Sequence, residues 1–124
     1  MLSYLHVKNL ALIDEAEVEF GSGLNILTGE TGAGKSILMG SVNLALGQKV
    51  SREMIRNPQQ PALVELIFQV DSPHCLQALE EKDIAAEDGQ VIISRKITQN
   101  RSISRLNGEV CTAAQIREIA SLLL

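Results

Sequence analysis

Aromatic side chains are scarce in this chain: Tyr4, Phe20 and Phe68 are the three among 124 residues, and tryptophan is absent. A stacking platform for single-stranded nucleic acid needs several ring faces along one groove and is therefore excluded. Cysteine is nearly as rare. Cys75 and Cys111 have no C-x-x-C spacing, and His6 and His74 form no ligand pattern with them, so neither a redox nor a metal role is assigned. Cys111 lies between Val110 and Thr112 at the end of a strand-like run and reads as a reduced, buried thiol. No stretch approaches the roughly 20 apolar residues of a membrane span. The start, Met1 to His6, lacks the regions of a signal peptide, so no membrane partner is expected and the expected location is cytoplasmic.

Positive charge is also in deficit, with 11 Lys and Arg against 15 Asp and Glu, a net charge of −4. That balance argues against a domain that coats nucleic acid by bulk electrostatics. The distribution is uneven. Residues 80 to 88 are acidic, whereas Val91 to Gly108 carries Arg95, Lys96, Arg101 and Arg105 without an acid. This basic stretch reads as a solvated two-stranded arm, or alternatively as a local contact to phosphates.

What the chain does contain is one phosphate-binding motif. Gly29-Glu30-Thr31-Gly32-Ala33-Gly34-Lys35-Ser36 fits G-x-x-x-x-G-K-[ST] at every fixed position. Gly29, Gly32 and Gly34 let the backbone turn successive N–H groups inward around a phosphate. Lys35, the first catalytic candidate, would place an ammonium against the β- and γ-phosphates. The Ser36 hydroxyl would ligate the Mg²⁺ that bridges them. Glu30 reads as supplying backbone only. Such a short pattern recurs by accident, but Gly23 to Thr28 reads as an apolar strand before it and Ser36 to Leu46 as a helix after it, which removes most accidental matches. The cofactors expected from this loop are a nucleoside triphosphate and Mg²⁺.

Leu2 to Lys8 and Leu12 to Phe20 read as strands ahead of the motif, the second alternating Ala16, Val18 and Phe20 against Glu15, Glu17 and Glu19. Two β-segments before the phosphate loop point to the ATP-binding-cassette branch of that fold. Gly47 is placed to stop the first helix, and residues 48 to 61 read as an irregular connection. A strand with Val64, Leu66, Phe68 and Val70 on one face follows, then a helix opened by Ser72-Pro73. Val91 to Thr98 and Arg101 to Leu106 read as a hairpin, and Asn107-Gly108 as a tight turn into a short strand, Glu109 to Cys111. Thr112 and Gln115 form a capping box for a last helix with Ile116, Ile119, Ala120 and Leu123 buried. That helix reaches Leu124 without a polar stop, so the natural chain is expected to continue.

With these elements in place the chain resembles the RecN family of bacterial DNA repair proteins, relatives of the SMC ATPases. The resemblance rests on Val7 to Glu15 (VKNLALIDE), the unbroken run Gly23 to Leu38 (GLNILTGETGAGKSIL), and Arg101 to Thr112 (RSISRLNGEVCT). Two positions depart from that pattern: Asn57-Pro58 stands where a glycine is expected after Ile55-Arg56, and Cys111 replaces a more usual residue.

The resemblance implies an α/β fold, a P-loop NTPase of ABC/SMC-head type. Residues 1–124 would be its N-terminal lobe, an antiparallel β-subdomain and a mixed sheet flanked by helices, with the coiled coil and C-terminal lobe absent. It implies an ATP-driven machine for DNA double-strand-break repair and recombination, associated with the nucleoid, in which two heads of a homodimer sandwich ATP. Carried over by position, Gly29, Glu30, Thr31, Gly32, Ala33, Gly34, Lys35 and Ser36 bind the nucleotide, Ser36 holds Mg²⁺, and Arg56 and Arg105 are secondary candidates for nucleotide or DNA contact. The Ser-Gly-Gly signature that hydrolysis needs is absent. Leu66 to Asp71 imitates the apolar strand ending in Asp, but Gln69 interrupts it and Ser72 follows in place of Glu. The piece alone is therefore expected to bind ATP weakly and hydrolyse little. Two other readings stay open: a P-loop kinase of a small molecule or nucleotide, and a non-catalytic fragment that docks on a partner chain.

Overall fold

Period-two alternation of apolar and polar residues builds most of this protein. The computed structural model describes residues 2–10, 13–20, 24–26, 40–49, 52–84, 86 and 88–123. The strands are β1 (Leu2–Leu10), β2 (Ile13–Phe20), β3 (Leu24–Ile26), β4 (Ala62–Gln69), β5 (Gln90–Ile97), β6 (Ser102–Leu106) and β7 (Glu109–Cys111). They form one sheet in the order β3-β2-β1-β4-β5-β6-β7, and every pairing among the described residues is antiparallel. The helices are α1 (described over 40–45), α2 (Pro73–Glu81) and α3 (Ala113–Leu123), with a 3₁₀ turn at Arg52–Met54.

The register aligns the apolar positions of neighbouring strands. Val18, Leu5, Leu66 and Ile93 lie in one row across β2, β1, β4 and β5, and Ala16, Val7 and Val64 in the next. These side chains are buried in one cluster with Val42 and Ala45 of α1, Leu79 of α2, and Ile116, Ile119, Ala120 and Leu123 of α3. Burying each large member, such as Phe68 or Leu66, contributes about 1.5–3 kcal/mol. The opposite face keeps water, as antiparallel sheets commonly do. It carries a polar row of Glu17, His6, Glu65, Ser94 and Arg105.

The local signals act as read. Ser72 caps α2, its hydroxyl accepting from the Cys75 N–H, with Pro73 at the first helical position. Asn107 and Gly108 both take positive φ, 51° and 87°, the turn that matches the twist of a two-residue hairpin. Asn107 also extends the ladder, since its N–H donates to the Ile92 carbonyl and its Oδ1 accepts from the Ile92 N–H, both at 2.8 Å. Thr112 and Gln115 bond reciprocally at 2.9 and 3.1 Å, completing the capping box.

Three expectations are corrected. The basic hairpin is not an arm, because β5 and β6 lie within the sheet, flanked by β4 and β7. Cys111 is half-buried, not buried. Asn57 needs no glycine, because it does not take a positive φ. Its N–H and carbonyl instead bond to the side chain of Asn9 at 2.8 and 3.0 Å.

Candidate functional site

The motif residues Gly29 to Ser36 lie outside the described residues, as does the whole of 27–39. What the structure describes is the support on either side. The segment before it is strand β3, paired to β2 through Ile26 and Val18, and the segment after it is helical from residue 40. A strand before the motif and a helix after it are the flanks that the phosphate-binding pattern requires.

The far end of α1 is described in full. Gly47 takes φ 109°, a conformation that side chains with a Cβ rarely adopt, and there the helix stops. The Gln48 N–H donates to the Asn43 carbonyl and the Gly47 N–H to the Leu44 carbonyl, both at 3.2 Å, which is the paired bonding of a Schellman end. Two arginines from other elements complete it. Arg95 of β5 donates from Nη1 to the carbonyls of Leu44 and Gln48 at 2.6 Å each, and from Nε to the Ser102 hydroxyl at 2.7 Å. Arg117 of α3 donates from Nη1 to the Gly47 carbonyl at 2.9 Å.

Arg95 is 7% exposed. Neither arginine has a carboxylate partner among the described residues. Burial first, and the neighbouring Arg117 second, push the Arg95 pKa down. The guanidinium is held in place by carbonyl oxygens and by the negative end of the helix dipole, both of which favour a cation.

Composition alone groups Arg95 with the exposed cations and misses this clamp. The signal was present: Val91, Ile93, Arg95 and Ile97 share one parity, so the alternation that buries the isoleucines also buries the arginine.

Arg56 is exposed after Ile55, which bridges to Leu10. Its N–H donates to the Asn9 carbonyl at 3.2 Å. Arg105 is exposed on the outer face of β6, opposite Ser94 and Val110. The two are not brought together: β1 and β6 are separated by three strand-to-strand steps, roughly 14 Å. Asp71 is exposed beyond the end of β4. Tyr4 stands on the outer face, where burial and then Glu17 raise its pKa.

His6, Glu15 and Glu17 gather on that same face, with His6 Nε2 and Glu15 Oε2 2.8 Å apart. Among the described residues no helix is long and apolar enough to cross a membrane.

The fold is that of SMC head domains. An SMC ATPase structure concerned with ATP-driven dimerization and DNA-stimulated activation superposes with a TM-score of 0.69 at 19% identity, covering 98% of this chain and 78% of that one. The Smc head domain of Pyrococcus furiosus, bound to the C-terminal domain of ScpA, gives 0.68 at 19% identity, covering 98% and 33%. The chain belongs to the AAA domain family, whose model matches residues 4–122. Along its whole length it is similar to proteins called DNA repair protein RecN, 41% identical in Bacillus subtilis and 39% in Halalkalibacterium halodurans. The chain spans 22% of the length of each of these relatives.

Proposed function

We propose that this chain is the N-terminal, nucleotide-binding lobe of a RecN-type ATPase acting in DNA double-strand-break repair and recombination. The observation that carries the reading is the order β3, G-E-T-G-A-G-K-S, α1 in a chain with an SMC-head fold and RecN-like sequence throughout. The donor set fits a magnesium-bound triphosphate: Gly29 to Gly34 offer backbone N–H groups, Lys35 an ammonium and Ser36 a hydroxyl. Mg²⁺ would neutralise charge between the phosphates. Lys35 contributes a fixed positive charge, and Ser36 a ligand oxygen. Hydrolysis requires the C-terminal lobe and the Ser-Gly-Gly signature of a second head, so the working unit is a homodimer, cytoplasmic and associated with the nucleoid. Arg56 and Arg105 are secondary candidates for nucleotide or DNA contact, and their separation across the sheet supports contacts to different phosphates.

The test is equilibrium binding of a fluorescent ATP analogue with Mg²⁺ to the protein as its gene encodes it, beside Lys35→Ala. Binding by the native protein and its loss in the variant are expected. Equal affinity in both would remove the phosphate-loop assignment.

A further inference from the structure

The structure assigns Arg95, assisted by Arg117, a positioning role for the nucleotide site: the pair anchors the C-terminal end of α1 and thereby sets where the phosphate-loop end of that helix points. This rests on the nucleotide-binding reading above and deepens it.

A strand-anchored helix needs a fixed far end if its near end is to present N–H groups to a ligand. Here three carbonyls at the far end, those of Leu44, Gly47 and Gln48, each accept from a guanidinium. The two donors come from separate elements, β5 and α3, so the end of α1 is held from two directions. Ser102 fixes Arg95 in turn.

The alternative explanation, a surface cation resting on a convenient carbonyl, does not fit a buried Arg95 whose three bonds are all 2.6–2.7 Å. Taking a guanidinium out of water is costly, and it is retained only where fixed polar groups replace the lost hydration.

The lever is short but sufficient. A tilt of about 5° at the anchor moves the other end of the helix described over 40–45 by about 0.8 Å over its length of roughly 9 Å. Misplacement of about 1 Å in a preorganised site costs on the order of a hundredfold. The backbone N–H groups around the phosphates have no side-chain freedom with which to compensate. The charges act in the same direction, with cations at the carbonyl end of α1 and, in this reading, phosphates at its N–H end.

The experiment measures the Kd for an ATP analogue with Mg²⁺ and the thermal midpoint in parallel, on the full-length protein. The variants are Arg95→Gln, Arg95→Lys, Arg117→Gln and a buried control in α2, Leu79→Val. Arg95→Gln weakens nucleotide binding about tenfold or more, Arg95→Lys regains part of the affinity because it restores one cation to the carbonyls, and Arg117→Gln loses less because its site is exposed. Leu79→Val lowers the midpoint and leaves Kd unchanged. Native affinity in Arg95→Gln overturns the proposal, as does an equal loss in Leu79→Val at matched midpoint, which would make the effect one of stability alone. Should Arg95→Gln fail to fold, the Arg95→Lys and Arg117→Gln affinities decide by the same criterion. Failure of the native protein to bind nucleotide is a separate result and counts against the function proposed above.

Discussion

Asn9 and Asn57 hold each other across the fold: the Asn57 N–H donates to Asn9 Oδ1 at 2.8 Å, and Asn9 Nδ2 donates back to the Asn57 carbonyl at 3.0 Å. The same amide nitrogen reaches the carbonyls of Gln60 and Pro61 at 3.0 and 3.3 Å. One side chain thus ties the 57–61 connection to the end of β1 and positions Arg56 beside it. Asn9 is buried and takes φ 56°, a conformation Asn tolerates better than most residues. Asn9→Ala loses all four bonds and keeps the unfavourable φ, and should cost about 2 kcal/mol or more, since the loop carbonyls are near enough to water to recover part of their bonding. Asn9→Gly relieves the backbone and should cost about 1 kcal/mol less than the alanine variant. Denaturant unfolding of both reads the difference, and an Asn9→Ala variant as stable as the native protein would deny the side chain this role.

Gly47 and Arg117 form a second coupled pair. A Cβ on Gly47 would stand 2.6 Å from Arg117 Cγ and 3.0 Å from the Ala113 carbonyl oxygen, at a φ of 109°. Gly47→Ala should therefore destabilise by about 1–3 kcal/mol from backbone strain, with the displaced Arg117 bond in addition. Arg117→Ala removes the obstructing side chain, so the double variant should be more stable than the sum of the two singles predicts, by about 0.5 kcal/mol or more. Strict additivity in a double-mutant cycle would show that the two positions do not meet.

Much of this architecture was legible because its signals are local. Seven strands, the Asn107-Gly108 turn and the Thr112–Gln115 box each depend on residues within a few positions of one another. The buried stripe of α3, from Ile116 to Leu123, follows from helical spacing alone. The long-range polar bonds were not legible. Asn9 and Asn57 are 48 residues apart, and Arg95 and Leu44 are 51. Nothing in either segment alone announces its partner. The burial of Arg95 is masked for a related reason: a run of positive charge suggests exposure, whereas parity buries Arg95 and leaves Lys96 and Arg105 exposed. The phosphate-binding motif is a different case: it is read from the sequence alone, and its residues lie outside those described.

The outer-face pair His6 and Glu15 makes stability depend on pH in a defined direction. The hydrogen bond from His6 is the main cause that lowers the Glu15 carboxyl below its ordinary value of 4.5, and Lys8, opposite it in the register, acts the same way. Glu17 and Glu65 flank His6 on the neighbouring strands. A carboxyl whose pKa is lower in the folded state stabilises fully above its unfolded value, and that contribution is lost as pH falls through the folded value. Glu15→Gln should accordingly unfold at a lower temperature than the native protein near neutral pH, with the gap closing below pH 4.5. Glu15 is exposed, so the gap is small, and replicate thermal scans across pH are needed to resolve it. A gap that widens on acidification would reverse the assignment.

Arg105 separates the structural from the functional use of positive charge on this hairpin. It projects from the outer face of β6 and is exposed, whereas Arg95 one strand away is buried against α1. Arg105→Ala should leave the thermal midpoint close to native, because surface substitutions away from caps and networks are usually worth less than about 0.5 kcal/mol. In its proposed role as a phosphate contact, Arg105 releases a counterion when DNA binds. The variant should then bind DNA more weakly at low salt, with the slope of log K against log salt reduced by about 1. ATP affinity stays unchanged, because Arg105 and the α1 anchor lie on opposite faces of the sheet. A native salt slope in Arg105→Ala would leave the residue as a solvated cation and shift the DNA contact elsewhere in the protein.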